Sequence, residues 1–110
     1  MPVRNAREIF EVHMPRRFDD ASNLSERVNG TYKFVLSGAD GGTWFVDLTQ
    51  SPGAVREEDV EAQCTLTAAS TDFLAIVNGK LDGRVAFLTG KLKVAGDVGL
   101  AMKLPALLGR

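Results

Sequence analysis

Few side chains in this 110-residue chain could carry chemistry. His13 is the only histidine and has the chemistry of a general base. It stands beside Pro15, with no serine or cysteine at a recognisable nucleophile spacing, so catalysis is not expected. Cys64 alternates with polar residues in Cys64-Thr65-Leu66-Thr67-Ala68 and reads as a small buried hydrophobe. Glu57, Glu58, Asp59 and Glu61 cluster without the oxygen-ligand spacing of a calcium loop, and read as a solvated acidic segment. Gly79, Gly90, Gly96 and Gly99 match neither GxGxxG nor GxxxxGK, which leaves them as helix stops and turns. Lys80, Lys91 and Lys93 flank apolar segments. They suit an anionic head group or, more simply, the protection of a sheet edge. No enzyme activity, metal or cofactor is expected.

The bulk properties point the same way. One domain spanning 1–110 is expected from the length. Apolar residues make up 45% and charged residues 25%, the balance of a folded globular domain. A net charge of −1 lacks the basic excess of a nucleic-acid binder. One cysteine excludes an internal disulfide and a cysteine-based zinc site, and fits a reducing, cytoplasmic setting. Met1 to Phe10 has no apolar signal core, and no run of about 18 apolar residues spans a bilayer. The charge is uneven: residues 1–69 sum to −4 and residues 70–110 to +3. This is either scatter over a solvated surface or a mildly cationic end suited to anionic lipid or an acidic partner.

The elements that must position these groups follow from spacing. Asn5 is placed to cap a helix over residues 6–14, with Ala6, Ile9, Phe10 and His13 or Met14 on one apolar stripe. Pro15 ends that helix or starts another. Tyr32, Phe34 and Leu36 alternate with Lys33, Val35 and Ser37, and Trp44, Val46 and Leu48 with Phe45, Asp47 and Thr49, around a turn at Asp40-Gly41-Gly42. Short strands near Val55 and over 64–68 follow. Antiparallel pairing is the economical reading, because connections this short do not cross over. Ser70 or Thr71 would cap a helix that Gly79 stops. Asp82 would cap a second over Arg84 to Leu88, ending near Gly90. Lys91 to Val94 alternates as a last strand, and Asp97 caps a terminal helix.

Residues 98–108 carry one charge, Lys103, and no polar face when wound as a helix. A helix apolar all round must be covered all round. Phe73 to Val77 and Val85 to Leu88 add two more apolar runs. Leaving several large apolar side chains exposed is costly, at about 1.5–3 kcal/mol each. Pattern alone leaves two readings: a pocket filled by a long apolar molecule, or a dense core closed by dimerisation.

The segments Gln63 to Thr67, Asp72 to Leu81 and Ala86 to Leu104 closely resemble the sterol carrier protein type 2 domain, in the ordered series DFL, GKL, AF, GKLK and GLAMKL. Residues 5–60 resemble it more loosely. A stand-alone family member of bacterial type is expected. The resemblance implies an α+β fold: a five-stranded, mostly antiparallel sheet covered on one face by helices, with a hydrophobic tunnel between them. It implies a tunnel floor of Trp44, Val46 and Leu66. The walls would be Phe73, Leu74 and Val77 from one helix, and Phe87 and Leu88 from the next. Leu100, Met102 and Leu104 of the terminal helix would complete them.

Thr89 and Gly83 depart from the glutamine and proline common in eukaryotic members, the latter loosening its helix. The family binds or transfers sterols, fatty acids, acyl-CoA esters and phospholipids. For this chain fatty acyl chains or isoprenoid quinones are the expected ligands. The implied function is non-enzymatic lipid binding and intracellular transfer or presentation, with transient contact at membrane surfaces. The alternative is an interaction module, either a homodimer or an accessory subunit of a lipid- or quinone-metabolising complex.

Overall fold

The computed structural model describes residues 5–16, 28–38, 41–49 and 53–103. The first helix, α1 (Ala6–Glu8), starts where expected: the Asn5 side chain accepts from Glu8 N at 2.9 Å. It widens into a π-helical turn over Ile9–His13 and continues as α-helix through residues 14–16. Pro15 therefore does not end the helix at Met14, and residues 17–27, which would carry a second helix, lie outside the described residues. Pro15 has no N–H to donate and its ring crowds the carbonyl four residues back, at Glu11 within the widened turn. Burial of Ile9, Phe10 and Met14 holds the segment helical.

Five strands follow in the chain: β1 (Thr31–Ser37), β2 (Gly42–Asp47), β3 (Ala54–Arg56), β4 (Cys64–Ala69) and β5 (Leu92–Gly96). They form one sheet in the order β3-β2-β1-β4-β5. Three pairings are antiparallel, but β1 and β4 run parallel, with Tyr32 opposite Cys64 and Phe34 opposite Leu66. The expectation that no short connection crosses over is thus corrected. Arg56 ends β3 level with Phe45, and Phe45 is level with Lys33 and Lys33 with Thr65. The link 57–63 need not travel back along the strands. It crosses only three strand spacings, about 14 Å, well within the reach of seven extended residues.

Alternation sends Tyr32, Phe34, Leu36, Trp44, Val46, Cys64, Leu66 and Ala68 to one face, where the helices pack. On that face α2 (Ser70–Val77) leaves β4 without a loop. Its cap position is therefore Ala69, the last strand residue, with no side-chain cap, and Ser70 is the buried first helical residue rather than the cap. The next helix, α3 (Gly83–Leu88), is capped by Asp82, whose carboxylate accepts from Arg84 N at 2.8 Å. Both helices close with a backbone bond from C″ to C3: Lys80 N to Ala75 O and Lys91 N to Ala86 O, each 2.8 Å, with Gly79 and Gly90 at positive φ. The last described helix, α4 (Val98–Met102), is capped by Asp97, which accepts from Leu100 N at 3.2 Å.

The opposite sheet face carries Lys33, Thr43, Asp47, Thr65, Thr67 and Lys93, none of them buried. Phe45 is buried there, with the Arg56 guanidinium 5.2 Å from its ring centre. The acidic link 57–63 is tied down by charge: Asp59 meets Lys33 at 3.2 Å, and Glu57 meets Arg7 at 2.9 Å.

Candidate functional site

Under α1 and α2 the interior is aromatic. Phe10 stacks on Trp44 at 4.8 Å, and its ring centre lies 5.3 Å from Phe34 and 6.0 Å from Phe73. Trp44, Val46, Leu66, Phe73 and Val77, expected to line the site, are all buried in this cluster, and Leu74 is half-buried against it. Trp44 and Phe73 are each covered by Phe10, a residue that the helical stripe had placed in the core.

The other end of the sheet differs. Leu66 and Val94 are direct partners in the β4–β5 ladder, on the helix-bearing face. At the Leu92 end α3 packs on β5, anchored by buried Ala86. At the Gly96 end α4 packs on β4 and β5, anchored by buried Leu100. Half-buried Val94 lies between these two contacts. Ala101 is half-buried against the core, but the large apolar side chains of the two helices turn outward: Phe87 is 54% exposed, Leu88 81% and Met102 78%, beside exposed Val85 and Val98. Three expected wall residues are thus at the surface, and Leu104 lies outside the described residues. Of the expected helix over 98–108, Val98–Met102 is helical with Val98 and Met102 exposed, and residues 104–108 lie outside the described residues.

The attachment of α4 had no signal in the sequence. The buried Tyr32 hydroxyl donates to the Leu100 carbonyl at 2.6 Å. The Leu100 side chain rests on Gly30, where an added Cβ would come within 2.5 Å of Leu100 Cδ2. Asp97 N donates to Gln63 O at 2.8 Å, and Thr31 and Gln63 exchange two bonds, of 3.1 and 2.9 Å. Burial pushes the Tyr32 phenol far above its ordinary range, so it stays a neutral donor. Val94 was within reach of sequence reasoning, since alternation with Lys93 turns it inward.

The reactive candidates do not assemble. Cys64 is fully buried, and burial, with a smaller effect from the Asp97 carboxylate, pushes its thiol up, away from the reactive thiolate. His13 is half-buried at the end of the π turn. Among the described residues no group of three or more His, Cys, Asp or Glu side chains could hold a metal ion, and no helix is long and apolar enough to cross a membrane. Lys80, Arg84, Lys91, Lys93 and Lys103 are all exposed, close in sequence to the uncovered apolar residues.

The profile of the SCP-2 sterol transfer family matches residues 12–109. Hydroxysteroid dehydrogenase-like protein 2 of Mus musculus is 44% identical over 103 residues, covering 92% of this chain and 20% of that protein. The sterol carrier protein domain 2 of Helicoverpa armigera, solved in solution, matches with a TM-score of 0.78 at 32% identity, over 94% of this chain and 87% of that one. Sterol carrier protein 2 of Aedes aegypti, solved in complex with palmitate, has a TM-score of 0.76 at 24% identity, over 98% of this chain and 96% of that one, a likeness of fold. The chain spans about a fifth of the length of the curated relatives it matches. The profile match runs from the π turn through every strand to the last described helix, and this chain belongs to the SCP-2 sterol transfer family.

Proposed function

We propose that this chain binds a long apolar molecule between the sheet and helices α2, α3 and α4, and carries or presents it without chemical change. One observation carries the reading. Phe87, Leu88, Val98 and Met102 stand uncovered at both ends of a β5 whose central Val94 is only half-buried. Hydrocarbon laid over Val94 and Leu66 would cover what the chain leaves open. The gain is about 0.8 kcal/mol for each methylene removed from water, so few polar contacts are needed and selectivity is broad. Fatty acids, acyl-CoA esters, phospholipids, sterols and isoprenoid quinones all meet that requirement. The palmitate complex of the Aedes aegypti protein supports the acyl class. Entry requires α4 to lift, with Leu100 leaving Gly30. The exposed lysines beside the apolar corner suit loading at an anionic membrane surface, and the lone reduced thiol suits the cytoplasm.

Native mass spectrometry of the purified protein tests this directly. A bound mass of several hundred daltons, removed by organic extraction and restored by an acyl chain, is expected. A protein that stays at its bare mass after incubation with acyl chains, acyl-CoA and sterol would refute carriage.

The exposure of Leu88 and Met102 also favours a second reading, in which these side chains form a dimer or subunit contact. Light scattering after size exclusion separates the two: a monomer with lipid bound supports carriage, and a lipid-free dimer supports the contact.

A further inference from the structure

β5 is the last strand of the sheet, and among the described residues no strand pairs with its outer edge. Its inner edge runs antiparallel to β4, with Val94 opposite Leu66 and Gly96 opposite Cys64. Asp97 N donates to Gln63 O at 2.8 Å, so the pair next to Gly96 and Cys64 is a hydrogen-bonded one. Such pairs alternate along an antiparallel ladder. Lys93 and Ala95 therefore turn their backbone N–H and C=O groups toward β4, and Leu92, Val94 and Gly96 turn theirs away from it. A row of free donors and acceptors of this kind is a template for another strand.

Lysine on an edge strand ordinarily keeps such a strand off. In one register the lysines of β5 do not. A second, antiparallel copy of β5 with the two-fold axis at Val94 sets Val94 against Val94, Leu92 against Gly96 and Lys93 against Ala95. One step beyond, Lys91 of each copy meets Asp97 of the other. Both residues are exposed, and among the described residues neither makes an ion pair within its own chain. Moving the axis to Lys93 would oppose lysine to lysine, which is unfavourable. Moving it to Ala95 would oppose Leu92 to Val98, which lies in α4 beyond the strand. The axis at Val94 opposes all three outward residues and places opposite charges at both ends.

The same axis covers the apolar side chains of α3 and α4. Directly opposed residues share a face, so the helices of both copies stand on one side of the joined sheet. Because the strands run in opposite directions, α3 at the Leu92 end of one copy comes beside α4 at the Gly96 end of the other. Exposed Phe87 and Leu88 then lie next to exposed Val98 and Met102 of the second copy. We propose that β5 is a pairing edge for a second copy of this chain, joined antiparallel about Val94. The product is one continuous sheet with five strands from each copy. The proposal rests on the reading in which Leu88 and Met102 form a contact, and names that contact's partner, strand and register.

Sedimentation equilibrium of the intact chain over a concentration series should show monomer and dimer in exchange. Val94→Pro removes an outward N–H and no bond to β4, as an edge strand tolerates, so the chain should fold and circular dichroism checks that it does. Two bonds across the axis are lost, and the dimer dissociation constant should rise about thirty-fold. Lys91→Glu should raise it about five-fold, since two exposed pairs are reversed. That effect should vanish in the Asp97→Asn background, where the α4 cap is kept without the charge. Register is read by disulfides, whatever the fate of Val94→Pro. Chains carrying Lys93→Cys and Ala95→Cys, mixed and mildly oxidised, should link to each other. Opposed residues of this non-hydrogen-bonded kind lie about 4.5 Å apart at Cα. Neither chain should link to itself, because its cysteines would lie diagonally, about 8 Å apart, and Cys64 is buried. A chain that stays monomeric up to about 1 mM would overturn the contact and the strand pairing together. A dimer that is indifferent to a folded Val94→Pro, or whose mixed cysteines stay unlinked, would overturn the strand pairing and leave the contact to the helices alone.

Discussion

Tyr32→Phe removes a single oxygen from the joint between α4 and the sheet. The lost bond is short, 2.6 Å, and buried. Its acceptor is not left bare, because Lys103 N also donates to Leu100 O at 3.1 Å. The loss is therefore that of a net hydrogen bond, about 1 kcal/mol, without the added cost of a stranded carbonyl. Phe fills the same space, so the ring contact with Phe34, 5.9 Å between centres, should persist. A loss of about 1 kcal/mol raises the population with α4 detached about five-fold. Amide exchange at Ala101 and Lys103 should quicken by that factor. If lipid leaves beneath α4, stopped-flow dissociation of a bound acyl chain should quicken equally. Faster exchange with unchanged lipid release would refute α4 as the gate. Unchanged exchange would refute the energetic role assigned to the hydroxyl.

Three further outcomes are expected. Leu88→Asp and Met102→Asp alter exposed side chains, so the melting temperature should stay nearly constant while lipid uptake falls about ten-fold or more; full uptake would place the ligand elsewhere. Tyr32 is the only tyrosine, and its folded pKa is raised, so its contribution to stability is complete below the unfolded value near 10 and is lost above it. Phenolate absorbance at about 295 nm should therefore rise together with loss of the circular-dichroism signal, not before it. Glu57 has a lowered folded pKa, owed first to its hydrogen bond from Arg7. Its contribution is present above the ordinary glutamate value near 4.3 and is lost as pH falls through the lower folded one. In Arg7→Ala, the Glu57 carboxyl resonance should titrate at the ordinary value, which a pH series of NMR spectra will read.

Much of this architecture was legible in the residue pattern, for reasons that are local. Tyr32-Phe34-Leu36 and Cys64-Leu66-Ala68 alternate because one sheet face is dry, and Asp82 and Asp97 cap helices because a short carboxylate reaches the first free N–H groups. Parallel pairing of β1 with β4 was not legible. It depends on Arg56 and Thr65 reaching the same level of the sheet, a matter of register across four strands. The Ser70 cap was misplaced because no loop separates β4 from α2. The apolar character of residues 98–102 was plain, but its meaning was not. Which of those side chains is buried depends on Tyr32 and Gly30, nearly 70 residues away in the chain. At the site, the burial of Leu66 could be read from strand alternation, whereas the burial of Leu100 and the outward turn of Leu88 and Met102 could not.

The parallel ladder between β1 and β4 is also a seam. On one side lies a meander of β1, β2 and β3, and on the other a unit running from β4 to α4, each built from neighbours in sequence. The two meet through one central row of backbone bonds, the aromatic cluster above it, and the joint of Tyr32 and Gly30 with Leu100. Closing that row draws together residues more than thirty positions apart, so it should form last when the chain folds. A cut in the exposed 57–59 stretch would leave both units whole, and the two fragments should find each other again through this seam, as a split protein that reassembles around its own middle.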